Sequence, residues 1–156
     1  MKISLRTLLL CFGLVLVNAR TVFSQDLPAV FVLGEDEAAY EKLAAVHPRS
    51  LLAVSGSDFE MALRHWLELM GEIERYSKTI NFDIKGMKLW LHAFWNEDGT
   101  IAHIGFFFLP NSRNFKTEEV KAFFSGFIRQ YKPVLKSDRK FNHYTSVSFP
   151  MLAEKK

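Results

Sequence analysis

Residues 88–95 alternate, with Leu89, Leu91, Ala93 and Trp95 falling on one face of an extended chain. Asn96-Glu97-Asp98-Gly99-Thr100 follows, and residues 101–109 then return with Phe106, Phe107 and Phe108 in a row. Asp98 suits the bridge region and Gly99 the left-handed region, so the segment predicts a β-hairpin closed by a type I turn with a bulge. Three consecutive aromatics put rings on both faces of the return strand, which is therefore expected to be covered on both sides for part of its length. An isolated hairpin is marginal in water, so whatever else the chain forms must cover this one.

Two amphipathic helices can do so. Phe59, Ala62, Leu63, Trp66, Met70, Ile73 and Tyr76 recur at spacings of three and four over residues 57–77, and Ser57 with Glu60 reads as a capping box. Val120, Phe123, Phe124, Phe127, Ile128 and Tyr131 form a second stripe, with Thr117 as its N-cap, Glu118 and Glu119 in its first turn and Pro133 ending it. A shorter helix is predicted over residues 36–46, opened by Asp36 and Glu37 and stopped by Pro48. Residues 29–33, ended by Gly34, and residues 51–54 read as short strands. Residues 140–149 alternate once more. Phe141, His143, Thr145, Val147 and Phe149 share one face, and Asn142, Tyr144, Ser146 and Ser148 share the other. The order β-α-β-α-β-β-α-β predicts an α+β fold, a mainly antiparallel sheet with helices on one face.

The N-terminus has the layout of a signal peptide. Lys2, Arg6 and Arg20 are basic, residues 7–17 are apolar, and no acid precedes Asp26. Val22 and Ser24 suit cleavage after Ser24, which makes residues 1–24 a leader and residues 25–156 a single domain. The apolar run is shorter than the roughly 20 residues a membrane span needs, and no later segment reaches that length. The expected destination is the periplasm or the exterior, with no integral span in the processed chain. The full chain carries 20 Lys+Arg against 17 Asp+Glu. Without the three basic leader residues the balance is zero, so no net charge draws the domain to nucleic acid. Cys11, the one cysteine, lies in the leader. The domain is thus expected to rely on its aromatic core rather than on disulfides. Charge is unevenly placed: residues 25–77 are net −6 and residues 78–156 net +6. That asymmetry is compatible with docking of the two halves, or with a monomer that dimerises weakly.

From Lys88 onward, the chain resembles the C-terminal domain of TonB. The resemblance rests on Leu89-Leu91-Ala93-Trp95, on Asp98-Gly99-Thr100-Ile101, on the stripe from Val120 to Tyr131 followed by Pro133, and on Val147-Ser148-Phe149-Pro150. It spans residues 88–150 and implies a β-β-α-β segment whose terminal strand can pair with a partner's peptide. The upstream stretch, with Gly34-Glu35-Asp36-Glu37 and Tyr40-Glu41-Lys42-Leu43, is similar to small exported bacterial proteins of no known activity.

No motif in the chain carries recognisable chemistry. His47, His65, His92, His103 and His143 make neither H-E-x-x-H nor H-x-H spacing, G-x-S-x-G is absent, and there is no glycine-rich phosphate loop. Gly34-Glu35-Asp36-Glu37 lacks the alternating oxygen ligands of a calcium loop. Glu68, Glu72 and Glu74 fall on the polar side of a helix. The bulged hairpin places His92 and His103 on opposite faces. A hydrolase would require two histidines, or a histidine and an acid, within reach in one cleft.

No cofactor is expected. The leading expectation is a non-enzymatic exported binding domain that pairs an envelope protein or peptide at the edge of the last strand, beside Asn142, Tyr144, Ser146 and Ser148. Proline at Thr145 would then remove an edge donor. The alternative is a carrier of a small hydrophobic ligand in a pocket lined by Phe94, Phe106, Phe108, Phe123 and Phe127.

Overall fold

The computed structural model describes residues 27–151, so the expected leader lies outside the described residues. The elements are β1 (Val30–Val32), α1 (Glu37–Val46), β2 (Arg49–Ser50), α2 (Leu51–Val54), α3 (Phe59–Thr79), β3 (Lys88–Trp95), β4 (Ile101–Phe108), α4 (Thr117–Gln130) and β5 (Phe141–Ser148). The α+β class stands. One five-stranded sheet has the order β1-β4-β3-β5-β2. Its three long strands are antiparallel, and the short β1 and β2 add parallel to β4 and β5 respectively.

The two long helices cover one face. Trp66, Leu69, Met70 and Ile73 of α3 and Val120, Phe123, Phe124 and Phe127 of α4 are buried with Leu89, Leu91, Ala93 and Trp95 of β3. Helices on one face describes α3 and α4. The shorter α1 lies on the other face, where Leu43 and Tyr40 pack with Phe31 and Phe94. Both β3 and β4 are thereby covered on two sides near the hairpin turn.

Local differences from the sequence reading have local causes. Residues 51–54 are helical rather than extended, because the Ser50 hydroxyl accepts the Ala53 amide at 3.1 Å and caps a turn. The cap of α3 is Asp58, whose carboxylate accepts from the Met61 amide at 3.0 Å, while Ser57 is in the left-handed region at φ 62°. Thr117 is the first helical residue of α4, preceded by Lys116, which makes no side-chain cap bond.

The hairpin turn is bulged as expected, with Gly99 at φ 85°. A second irregularity between Phe94 and Trp95 restores the pairing parity, so Phe94 faces His103 and His92 faces Gly105. His92 and His103 therefore share a face, contrary to the expectation from one bulge alone.

The crossing of α3 and α4 is set by Gly126. A Cβ there would lie 2.1 Å from the Tyr76 hydroxyl. Tyr76 cannot swing aside easily, since its ring stacks on Phe123 with centroids 5.4 Å apart and meets Phe127 at 5.9 Å. Alanine in a helix normally stabilises relative to glycine. At this position the collision outweighs that gain, and Gly126→Ala should lower stability by about 1–3 kcal/mol. Tyr76→Phe, which removes the clashing oxygen, should recover most of the loss in the double variant. Urea unfolding of the four proteins in the cycle tests this; a stabilised Gly126→Ala protein would contradict the crossing.

Candidate functional site

The side chains of Asn142, Tyr144, Ser146 and Ser148 lie on the face of β5 opposite the large core, as the alternation predicts. They do not form one set. Asn142 is used internally. Its Nδ2 donates to the carbonyls of His47 at 2.6 Å and Arg49 at 3.3 Å, which anchors the chain between α1 and β2 to β5. With both amide protons engaged, Oδ1 must accept from His92 Nε2, 3.0 Å away. The proton of neutral His92 is thereby placed on Nε2, and Nδ1 accepts the Tyr40 hydroxyl at 3.1 Å. Tyr40, His92 and Asn142 make one chain of hydrogen bonds linking α1, β3, β5 and β2.

His92 is 4 % exposed and stacks on Phe94 at 3.9 Å. Burial holds its pKa down at about 4, against the opposing effect of its bond to Asn142. It is neutral at pH 7. His47 lies nearby with Nδ1–H donating to the Leu43 carbonyl at 2.8 Å and its Nε2 buried without a partner. Burial first, and Lys140 and His103 further, lower its pKa as well. His103 donates from Nδ1 to the Pro28 carbonyl at 3.0 Å. His47, His103, Lys42, Lys140 and Asn96 border a cleft of about 490 Å³ that contains no acidic side chain.

Tyr144, Ser146 and Ser148 are exposed, and they sit where β5 has an open side. The pairing of β5 with β3 is fixed in phase by the Phe149 amide, which donates to the Met87 carbonyl at 2.9 Å. Antiparallel strands alternate which residues bond inward. Odd-numbered residues of β5 thus bond to β3, and even-numbered ones turn their backbone groups outward. β2 takes up Phe141 and Asn142 only. Among the described residues no strand lies beside Tyr144, Ser146 and Ser148. Thr145 bonds inward, so proline there would damage the β3–β5 ladder rather than the edge, which corrects the choice of test residue.

On the same face, an aromatic group adjoins this edge. Trp90 has Phe107 at 6.5 Å with planes 18° apart, and Tyr144 at 5.8 Å. Tyr144 is 56 % exposed and Phe107 39 %. α1 covers the turn end of this face around Phe94 and leaves these rings open. Sequence reasoning named Tyr144, and Phe107 only as one of three consecutive rings, but missed Trp90 and its grouping with the other two. The pairing of Trp90 opposite Phe107 was readable from the hairpin register, had the second bulge been known.

The five phenylalanines proposed to line a ligand pocket do not converge. Phe106, Phe108, Phe123 and Phe127 belong to the α3–α4 side of the sheet and Phe94 to the α1 side. They fill space against other rings, Phe106 on Phe124 at 5.8 Å and Phe108 on Phe115 at 6.4 Å. The rings on which the carrier reading rests are thus split between the two faces of the sheet.

His65 Nδ1 and Glu68 Oε2 approach to 3.5 Å beside a groove of about 280 Å³. They are three residues apart on α3, so helical spacing alone brings them together. No serine, threonine or cysteine lines that groove. Among the described residues no group of three or more His, Cys, Asp or Glu is arranged to hold a metal ion. No described helix is long and apolar enough to cross a membrane.

Comparison of the chain with family models, with curated proteins and with solved structures finds no match.

The state of His92 has a measurable consequence. Its folded pKa, about 4, lies below the unfolded value near 6.5. Between these values the unfolded chain binds more protons, so stability is full above about pH 6.5 and falls as the pH drops towards 4. The shift corresponds to about 3 kcal/mol, and burial of His47 and His143 acts with the same sign. His92→Gln should flatten the dependence of the urea midpoint between pH 6.5 and 4 while lowering the midpoint at pH 7. An unchanged slope would rule out His92 as its main source.

Proposed function

We propose that this chain is a non-catalytic binding domain of the cell envelope that captures an extended segment of another envelope protein. The segment adds as a strand beside β5. The observation that carries this reading is the row of outward backbone groups at Tyr144, Ser146 and Ser148, with no strand of the sheet beyond them among the described residues. An added strand satisfies those groups, and every second side chain of it falls on the face that carries Trp90, Phe107 and Tyr144. The backbone bonds supply general affinity, and the rings supply a preference for apolar or aromatic residues at alternate positions.

Three outward residues make a short edge. At about 0.5–1.5 kcal/mol per hydrogen bond, the backbone alone holds a peptide weakly, and burial of the rings must contribute the rest. An exported destination fits the leader-like N-terminus and the absence of net charge in the remainder.

Ser146→Pro removes an outward amide from an edge position, where proline is tolerated. Thr145→Pro removes an inward one. Ser146→Pro should therefore keep its stability within about 1 kcal/mol, whereas Thr145→Pro should lose about 3 kcal/mol or more. Partners recovered from envelope extract by the wild type should be lost with Ser146→Pro. Hydrogen exchange should also show the Tyr144, Ser146 and Ser148 amides slowing when such a partner is added. A partner retained by a folded Ser146→Pro protein, or edge amides that exchange no more slowly with it bound, would refute strand addition.

A further inference from the structure

α3 carries a second, outward-facing ridge. Phe59, Leu63, Leu67, Gly71 and Arg75 recur every four residues, which makes one continuous row along a helix surface. Phe59 is 70 % exposed and Leu63 44 %. Leu63, Leu67 and Gly71 form the floor of an open groove of about 500 Å³, bordered by Glu60, Arg64 and Arg75. Ala62, Trp66, Leu69, Met70, Ile73 and Ser77 face inward, and of the ridge only Gly71 is buried, at the bottom of the groove.

The order of residues along the ridge is self-complementary. Under a twofold axis at Leu67, the ridge meets its own copy in reverse. Leu67 then faces Leu67 of the second copy, Leu63 faces the second copy's Gly71, and Phe59 faces its Arg75. A large side chain thus meets the one position without a side chain, and an exposed ring meets a guanidinium. Glu60 lies within one residue of the same arginine. Neither Glu60 nor Arg64 has an ion-pair or hydrogen-bond partner among the described residues. Arg75 has only its helical neighbour Glu72. An arbitrary partner would have no reason to match this sequence of large, small and charged positions in reverse, whereas an isologous dimer requires it.

We infer that the outer ridge of α3 is a homodimer interface, occupied by α3 of a second copy crossing at Leu67. The inference is independent of the proposed capture of a strand at β5, because no residue of the ridge belongs to that edge. One helix pair buries less than the standard protein interface of about 1,600 Å², so the dimer is expected to dissociate in the micromolar range.

Sedimentation equilibrium of residues 25–156 from 5 to 500 µM tests this. The wild type should shift from monomer to dimer across that range. Leu67→Glu should remain monomeric up to 500 µM with an unchanged melting transition. Glu60→Arg and Arg75→Glu should each weaken association at least threefold, and the double variant should regain it. Residues 25–156 contain no cysteine, so Leu67→Cys in that segment should give a disulfide-linked dimer on mild oxidation. Ser146→Pro serves as the control for pairing through β5 and should dimerise like the wild type. A wild type that stays monomeric at 500 µM overturns the inference. So does a dimer that survives Leu67→Glu, or charge variants whose effects fail to cancel.

Discussion

The side chain of Asn142 is where the separate parts of this fold are tied together. Its two amide protons go to carbonyls at His47 and Arg49, and its oxygen accepts a hydrogen bond from the Nε2–H of His92. The first pair of bonds brings the end of α1 and all of β2 onto β5. The third sets the tautomer of a buried histidine and so makes Tyr40, from α1, the donor on its other side. A buried polar group left unmatched costs about 1–3 kcal/mol, and here each member matches the next. The same residue marks the limit of the open edge: among the described residues, β5 is paired on its outer side as far as Asn142 and not beyond.

This arrangement explains why the sheet has one bare region rather than two bare faces. α3 and α4 cover one face completely, with Leu89, Leu91, Ala93, Ile104 and Phe106 essentially without exposure. On the other face, α1 is ten residues long and reaches only the turn end of the hairpin. Gly105 shows how closely that end is covered, since a Cβ there would lie 2.7 Å from the Phe31 ring. Beyond it, Trp90 and Phe107 face outward beside Tyr144. The exposed rings are thus the part of the hairpin that a short helix cannot reach.

The parts legible in the sequence were those encoded by local periodicity. The stripe from Phe59 to Tyr76 and the one from Val120 to Tyr131 specify helices and their buried sides, and Lys88 to Trp95 has the period of a strand. What stayed illegible depended on partners distant in the chain. The bonds of Asn142 join it to residues 95 and 93 positions away, and no local pattern separates it from Tyr144 or Ser146. The face occupied by α1 was hidden for a related reason, because amphipathicity shows that a helix packs but not on which side of a sheet. One unseen bulge reversed the relation of His92 to His103, since a shift of one residue turns every later side chain to the other face. Short apolar runs are ambiguous in themselves, and Leu51–Val54 became helix because of a single serine before it.

The two proposed surfaces also bear on one another energetically. An edge of three outward residues offers few hydrogen bonds, and a peptide bound there alone would leave quickly. α3 lies beneath β5, with Trp66 against His143 at 4.6 Å. A dimer formed through the outer ridge of α3 therefore carries two β5 edges in a fixed relation. A partner with two extended segments, or two partners side by side on a surface, would then bind with the second contact made at a high effective concentration. That gain needs no new contact at either edge, and it disappears when α3 can no longer pair. On these two proposals, weak edges and a weak dimer together would hold multivalent targets and release single ones.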